Sequence, residues 1–187
     1  MADTSFALSA DLFVLHQAGI RELLPAGKML EGEKFLGREP WAGFLAKAPP
    51  APLMVWTYRE LGADLSGRAD PARGALWREL IKRLDLPRGS VAFWPFALPT
   101  DGGSDVVHKE PFLAGLARIA PKALVVFEER AFRRIAEALA ATDNDMLGRI
   151  RCFSMELRNA AGAIRPADDL AESLRQFLKD MVPDEAA

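Results

Sequence analysis

Four short runs of apolar residues recur along the chain, and segments with the spacing of amphipathic helices separate them. The runs cover residues 53–58 (LMVWTY), 90–96 (SVAFWPF), 123–127 (ALVVF) and 150–155 (IRCFSM). Apolar strands that alternate with helices are typical of a parallel sheet covered on both faces. Right-handed crossovers then predict a three-layer α/β/α sandwich whose four strands lie in the order 2-1-3-4.

The helices between the runs have recognisable starts. Asp70 and Pro71 are typical of an N-cap and a first helical position, and an apolar stripe that contains Trp77 follows them. Pro111 marks the start of a second helix, and Asp168 lies near the start of the last one. Because Trp77 is on the apolar stripe, we expect it in the core.

The first 52 residues have a different pattern. Residues 11–24 have the apolar spacing of a helix, residues 27–40 are rich in glycine and charge, and three prolines within residues 48–52 end any helix. This region has too few apolar residues for a core of its own. We therefore expect an N-terminal arm, residues 1–52, that packs on an α/β/α domain formed by residues 53–187.

Composition narrows the function only by exclusion. The chain has 187 residues and a formal net charge of -2, so it has no overall charge that would attract nucleic acid or anionic lipid. Its single cysteine, Cys152, excludes an intrachain disulfide, and one cysteine with two histidines argues against a metal site. We expect no metal and no cofactor.

Hydropathy gives an expectation of location. No apolar stretch approaches the ~20 residues that a membrane-spanning helix needs. The first residues, MADTSFALSADLF, include acids and no lysine or arginine, which is a poor match to a secretory signal. We therefore expect a cytoplasmic protein without a membrane partner.

The segment after the first strand is a candidate site. Residues 57–68 form a polar stretch that is longer than the usual loop of about 2–6 residues between a strand and a helix. In open α/β sheets, ligands bind beyond the carboxyl ends of the strands, which is where Tyr58, Glu60, Asp64 and Arg68 lie. The alternative is a surface loop that Asp and Arg pairs hold in place.

Two further strand ends contribute candidates. Trp94, near the end of the second strand, is suited to stacking on a planar ring, although a tryptophan there is also typical of plain core. Ser154 lies at the end of the fourth strand. The span from Arg130 to Arg165 contains seven arginines and four acids, which favours either a phosphate-binding edge or a solvated face.

The order of these features resembles the uracil-DNA glycosylase superfamily, in particular its bacterial members. The resemblance covers residues 45–180 and rests on order more than on any one motif. The residues that carry it are the strand at 53–56, Asp64, the pair Gly67 and Arg68, the helix at 75–84, Phe93 to Pro95, the stretch 112–127 that ends in IAPKALVVF, and Ala131.

The chain departs from this family where the family does its chemistry. The family's water-activating carboxylate motif is replaced by residues 57–61, in which Glu60 is the nearest carboxylate, about three residues out of register. The family's histidine-containing segment after the last strand is replaced by Ser154, Met155 and Glu156. Base excision needs a carboxylate aimed at water and a cationic group near the departing base, so we expect little or no excision.

The resemblance and the strand ends together define the expected function. We expect a divergent glycosylase-like protein that binds nucleic acid or a nucleobase-like ligand. In this interpretation Glu60 is the catalytic candidate, and the ligand-binding candidates are Tyr58, Asp64, Arg68, Trp94 and Ser154. The alternative is a non-enzymatic module that contacts a protein partner through the sheet ends or the arm.

Overall fold

The computed structural model of the chain describes residues 30–100 and 104–181. The helix predicted over residues 11–24 lies outside the described residues. None of the described helices is long and apolar enough to cross a membrane.

The described strands form one four-stranded sheet and one hairpin. In chain order they are β1 (Met54–Thr57), β2 (Val91–Phe93), β3 (Ala97–Pro99), β4 (Asp105–Val107), β5 (Ala123–Val126) and β6 (Arg151–Ser154). The large sheet has the order β2-β1-β5-β6, and all its neighbouring strands are parallel. In its register Val55 lies beside Ala92 and Leu124. The predicted parallel sheet and its strand order are thus confirmed.

Alternate residues of the strands face opposite sides, and helices cover both. In chain order the helices are α1 (Glu33–Leu36), α2 (Trp41–Lys47), α3 (Leu61–Leu65), α4 (Pro71–Arg83), α5 (Lys109–Ile119), α6 (Glu129–Ala140), α7 (Asp145–Gly148) and α8 (Ala167–Met181). Val55 and Leu124 pack with buried residues of α2, α5, α6 and α7, whereas Trp56 and Val125 pack with α3, α4 and α8. The result is a three-layer α/β/α arrangement.

The second apolar run is shorter as a strand than predicted. β2 ends at Phe93, because Pro95 has no N–H to donate to a neighbouring strand. The chain then forms the antiparallel hairpin of β3 and β4, in which Leu98 lies beside Val106. This hairpin is separate from the large sheet, and its first strand packs against α3.

The described part of the N-terminal arm packs on one face of the domain. Trp41 and Phe44 of α2 are buried in the core cluster that also contains Trp94 and residues of α5. The ring centroids of Trp41 and Trp94 are 5.5 Å apart. Residues 30–52 therefore share a core with the domain.

Candidate functional site

An ion pair joins the carboxyl ends of the two central strands. Arg59 follows β1 and Glu128 follows β5. Arg59 donates from Nη2 to Oε1 of Glu128 at 2.6 Å and from Nε to Oε2 at 3.2 Å. The hydrogen bond to Glu128 raises the pKa of the Arg59 guanidinium. This bidentate pair fixes the first residues beyond both strands at the point where the strand order reverses.

A second pair of hydrogen bonds extends the connection to β6. Ser154 donates from Oγ to Oε2 of Glu129 at 2.7 Å, and the backbone N–H of Glu129 donates to Oε1 of Glu156 at 3.1 Å. Glu129 is the first residue of α6, where a carboxylate is favoured by the helix dipole. The hydroxyl of Ser154 is thus hydrogen-bonded to another side chain of the protein, and it orients the carboxylate of Glu129.

A small cavity of about 190 Å³ opens beside the Arg59–Glu128 pair, and we name it the edge cavity. Its lining comes from the residues that follow β1, β5 and β6: Arg59, Glu60, Phe127, Glu128, Glu156, Leu157 and Arg158. Three of these side chains are carboxylates, one is aromatic and two are guanidinium groups. Such a lining can accept hydrogen bonds, contact a ring and meet an anion.

A larger cleft of about 450 Å³, which we name the basic cleft, lies between α5, α6 and the hairpin. Arg59 lines both cavities. Four lining side chains are basic and the others are apolar: Arg59, Lys109, Arg130 and Arg134, with Phe96, Val107, Phe112, Ala131, Ile135 and Ala138. Among the described residues, the lining therefore combines an apolar floor with cations and includes no acidic side chain.

Tyr58 and Asp64, two of the predicted site residues, meet in a buried network with Arg73 of α4. Tyr58 donates from its hydroxyl to Oδ2 of Asp64 at 2.7 Å. Arg73 donates from Nε to Oδ2 and from Nη2 to Oδ1 of the same carboxylate, both at 2.7 Å. The backbone N–H of Asp70 adds a hydrogen bond to Oδ1 at 3.2 Å. These contacts anchor the segment after β1 to α4.

The network also decides the charge states of its members. Burial alone would raise the pKa of Asp64, but the hydrogen bonds from Arg73 and Tyr58 outweigh it and lower that pKa. Burial and the bond to Asp64 raise the pKa of Tyr58. The bond to Asp64 raises the pKa of Arg73. The carboxylate is thus held ionised and its four hydrogen bonds are internal, which is the arrangement of a structural anchor.

The other predicted residues lie apart from one another. Trp94 is fully buried in the core on the opposite face of the sheet from Tyr58, and its indole N–H donates to the carbonyl of Phe112 at 3.1 Å. The rings of Tyr58 and Trp94 therefore lie in different core clusters and do not meet in one pocket. Arg68 is exposed at the end of the segment. Glu60 lines the edge cavity, so the structure places it with Arg59, Glu128 and Glu156.

No metal or redox group is suggested by the side chains that the structure describes. Within residues 30–100 and 104–181, no group of three or more His, Cys, Asp or Glu side chains could hold a metal ion. Cys152 lies in β6 and is half-buried, and burial raises the pKa of its thiol to about 11. A thiol in that state is a poor nucleophile at neutral pH.

The basic cleft was not predicted from the sequence. A signal for it was present in α6, where Arg130 and Arg134 are one helical turn apart beside an apolar stripe that includes Ile135. The participation of Lys109 and Phe112 depends on how α5 packs beside α6, which no local pattern contains. The site therefore lies partly on an element pair that only the fold brings together.

No protein-family model matches the chain, and no curated protein matches it in sequence.

Proposed function

We propose that the protein binds nucleic acid or a nucleobase-like ligand at the edge cavity, with weak or no base excision. The observation that supports this proposal is which strands supply the residues that line the edge cavity. Residues that follow three neighbouring parallel strands, β1, β5 and β6, meet in one cavity at the carboxyl edge of the sheet. Ligands of open α/β sheets bind at this edge, beside the reversal of strand order.

The chemistry of the lining suits a base with a nearby phosphate. The carboxylates of Glu60 and Glu156 can accept hydrogen bonds from the amino and ring N–H groups of a base. Phe127 supplies aromatic surface, and Arg158 supplies a cation for a phosphate. The resemblance of residues 45–180 to the uracil-DNA glycosylase superfamily adds support for this ligand class.

The same lining argues for weak or absent catalysis. Glu60 is the carboxylate best placed to activate a water molecule, and within the described residues its side chain has no hydrogen-bond partner that would aim it. His108, the histidine within the described residues, precedes α5 and does not line the edge cavity. Excision requires both an oriented base and stabilisation of the departing anion.

Binding is tested with fluorescently labelled single-stranded oligonucleotides, with and without uracil, by anisotropy at low and at moderate salt. We expect salt-dependent binding that Arg158→Ala weakens, because this substitution removes a cation of the edge cavity. Arg149→Ala is the matched control, since Arg149 is an exposed arginine that precedes β6 at the opposite end of the strand. Absence of binding to any oligonucleotide at low salt would overturn the proposal.

Catalysis is tested by measuring free base after incubation with uracil-containing and normal DNA. We expect little or no release of base from either substrate. Robust release that Glu60→Ala abolishes would show that Glu60 is a catalytic base and that the chain is an active glycosylase.

A second candidate function, a protein-interaction module, is favoured by the surface of β4. Val106 and Val107 are 43% and 48% exposed, and they are adjacent on a strand whose described partner is β3 alone. Apolar side chains at a strand edge are a common contact surface between proteins. Concentration-dependent association in sedimentation experiments, weakened by Val106→Lys, would support this function.

A further inference from the structure

We propose that the basic cleft is a separate binding site for a small organic phosphate, a phosphate monoester carried on an apolar body. This inference goes beyond the proposed function, because it concerns another cavity and another class of ligand. It depends on three properties of the cleft: its volume, its apolar floor and the cations around it.

The size and floor of the cleft suit a small molecule. Its volume of about 450 Å³ falls within the range of about 300–1,000 Å³ that is usual for small-molecule sites. Phe96 and Phe112 meet edge to face, with ring centroids 6.3 Å apart, and both are almost completely buried. Ile135 of α6 adds an aliphatic side chain to the same lining. The floor therefore offers aromatic and aliphatic contact to an apolar group.

Three of the four cations that line the cleft have no carboxylate partner in the described part of the chain. Among the described residues, Lys109, Arg130 and Arg134 form no ion pair with a carboxylate. Arg59 differs, because Glu128 pairs with it and Asp105 and Glu60 lie near enough to affect it. Three cations beside an apolar floor create a positive potential that a doubly charged phosphate would neutralise.

Helix stability does not explain two of these cations. Lys109 is the first residue of α5 and Arg130 is the second residue of α6. The positive end of the helix dipole lies there, so a basic side chain in the first turn is unfavourable for the helix. Arg133 behaves differently, since it pairs with Glu129 at 3.4 Å along the surface of α6. Lys109 and Arg130 are thus placed at a small cost to their helices, which a bound anion would offset.

The arrangement of the cleft predicts both parts of the ligand, the phosphate and the apolar body. Guanidinium groups bind phosphate oxygens through paired, charge-assisted hydrogen bonds, which favours a phosphate over a neutral group. The buried rings and Ile135 favour an apolar body over a bare ion. A ligand that carries only one of the two parts uses half of the site.

The experiment measures the affinity of the full chain for 1-naphthyl phosphate by isothermal titration calorimetry. The comparison ligands are 1-naphthol, which lacks the charge, and inorganic phosphate, which lacks the apolar body. We expect 1-naphthyl phosphate to bind at least about tenfold more tightly than either, since one charge-assisted contact alone is worth about that factor. Equal affinity for 1-naphthol, or no binding of 1-naphthyl phosphate, would overturn the proposal.

The variants use two neighbouring exposed arginines of α6. Arg134→Ala removes a cation of the cleft and is expected to weaken binding of 1-naphthyl phosphate by about tenfold. Arg133→Ala removes a cation that does not line the cleft and is expected to leave the affinity unchanged. An equal loss in both variants would mean that general surface charge binds the ligand, and the proposal would fail.

Two further phosphate monoesters show which kind of body attached to the phosphate the cleft prefers. Octyl phosphate carries an aliphatic body and adenosine monophosphate carries a base and a sugar, so their relative affinities identify the preferred body. Arg158→Ala is expected to leave the affinity for 1-naphthyl phosphate unchanged, because Arg158 lines the edge cavity only. This variant tests the two proposals separately, because it alters the edge cavity proposed for nucleic acid and leaves the basic cleft intact.

Discussion

The backbone of Gly115 in α5 lies directly against the indole ring of Trp94. A β-carbon built on Gly115 would be 2.0 Å from Cε2 and from Cζ2 of that ring. Trp94 cannot easily move aside, because it is fully buried and its indole N–H is bonded to the carbonyl of Phe112 at 3.1 Å. The close approach of α5 to Trp94 therefore requires glycine at this position.

We predict that Gly115→Ala destabilises the protein by about 1–3 kcal/mol, the usual cost of overpacking a core. Gly74→Ala is the control, since Gly74 is also inside a helix but its β-carbon would have only Arg78 Nη1 nearby, at 3.6 Å. That substitution is expected to stabilise the protein by about 0.5–1 kcal/mol. Urea denaturation of both variants measures the two effects, and a stabilising effect of Gly115→Ala would contradict the packing described here.

Trp77 of α4 is the centre of an aromatic cluster on the other face of the sheet. Its ring centroid is 4.8 Å from that of Phe127, 5.0 Å from Tyr58 and 5.8 Å from Trp56. Trp77 is 6% exposed, so the prediction that it belongs to the core is confirmed. Phe127 belongs both to this cluster and to the lining of the edge cavity, which connects the core to the candidate site.

We predict that Trp77→Ala lowers the free energy of unfolding by about 3–5 kcal/mol, because it leaves a large cavity. Trp77→Phe is expected to cost less. It keeps an aromatic ring and removes an indole N–H that has no hydrogen-bond partner among the described residues. A loss below about 1 kcal/mol for Trp77→Ala in denaturant melts would contradict the packing of α4.

The fold was accessible from the sequence because its strands are continuous apolar runs. Strand residues on both faces of the sheet, such as Val55, Trp56 and Leu124, are buried, so each strand is a continuous apolar run in the sequence. The right-handedness of the crossovers then predicts the order of the strands in the sheet. The hairpin of β3 and β4 was not predicted. Its strands have three residues each, and Pro99 interrupts any strand pattern.

The candidate site was accessible only in part, for a physical reason. Strand ends can be located in a sequence, so Glu60 was identified. The contacts that a side chain makes in the fold cannot be located in this way, and those contacts decide its role. Asp64 has the position of a site residue, yet Arg73, nine residues later, takes up its carboxylate. Asp64 lies in α3, so the predicted loop over residues 57–68 contains a short helix, and an Asp–Arg pair joins that helix to α4.

We predict that Asp64→Asn destabilises the protein by about 3–5 kcal/mol, because it leaves the buried guanidinium of Arg73 without its counter-charge. Asp70→Asn is the matched control. Asp70 lies 3.7 Å from Arg73, its side chain is 40% exposed against 11% for that of Asp64, and asparagine can replace it as the N-cap of α4. The control is expected to change stability by less than about 1 kcal/mol. Equal effects of the two substitutions in urea melts would mean that the Asp64–Arg73 pair contributes no more than a surface ion pair.

The Asp64–Arg73 pair also predicts how stability depends on pH. The native state lowers the pKa of Asp64, so the carboxylate releases its proton more readily when the protein is folded. Its contribution is therefore fully present above the ordinary aspartate pKa of about 3.9 and is lost as the pH falls through the lower, native value.

We expect the difference in unfolding free energy between the wild type and Asp64→Asn to be constant from pH 7 to about pH 5 and to shrink below about pH 4. The two proteins differ only at residue 64, so the difference in unfolding free energy reports on that residue. Urea melts of both proteins between pH 7 and pH 3 measure it. A difference that stays constant down to pH 3 would show that Asp64 does not titrate with a lowered pKa. In that case the loss in the variant would come from altered hydrogen bonding alone.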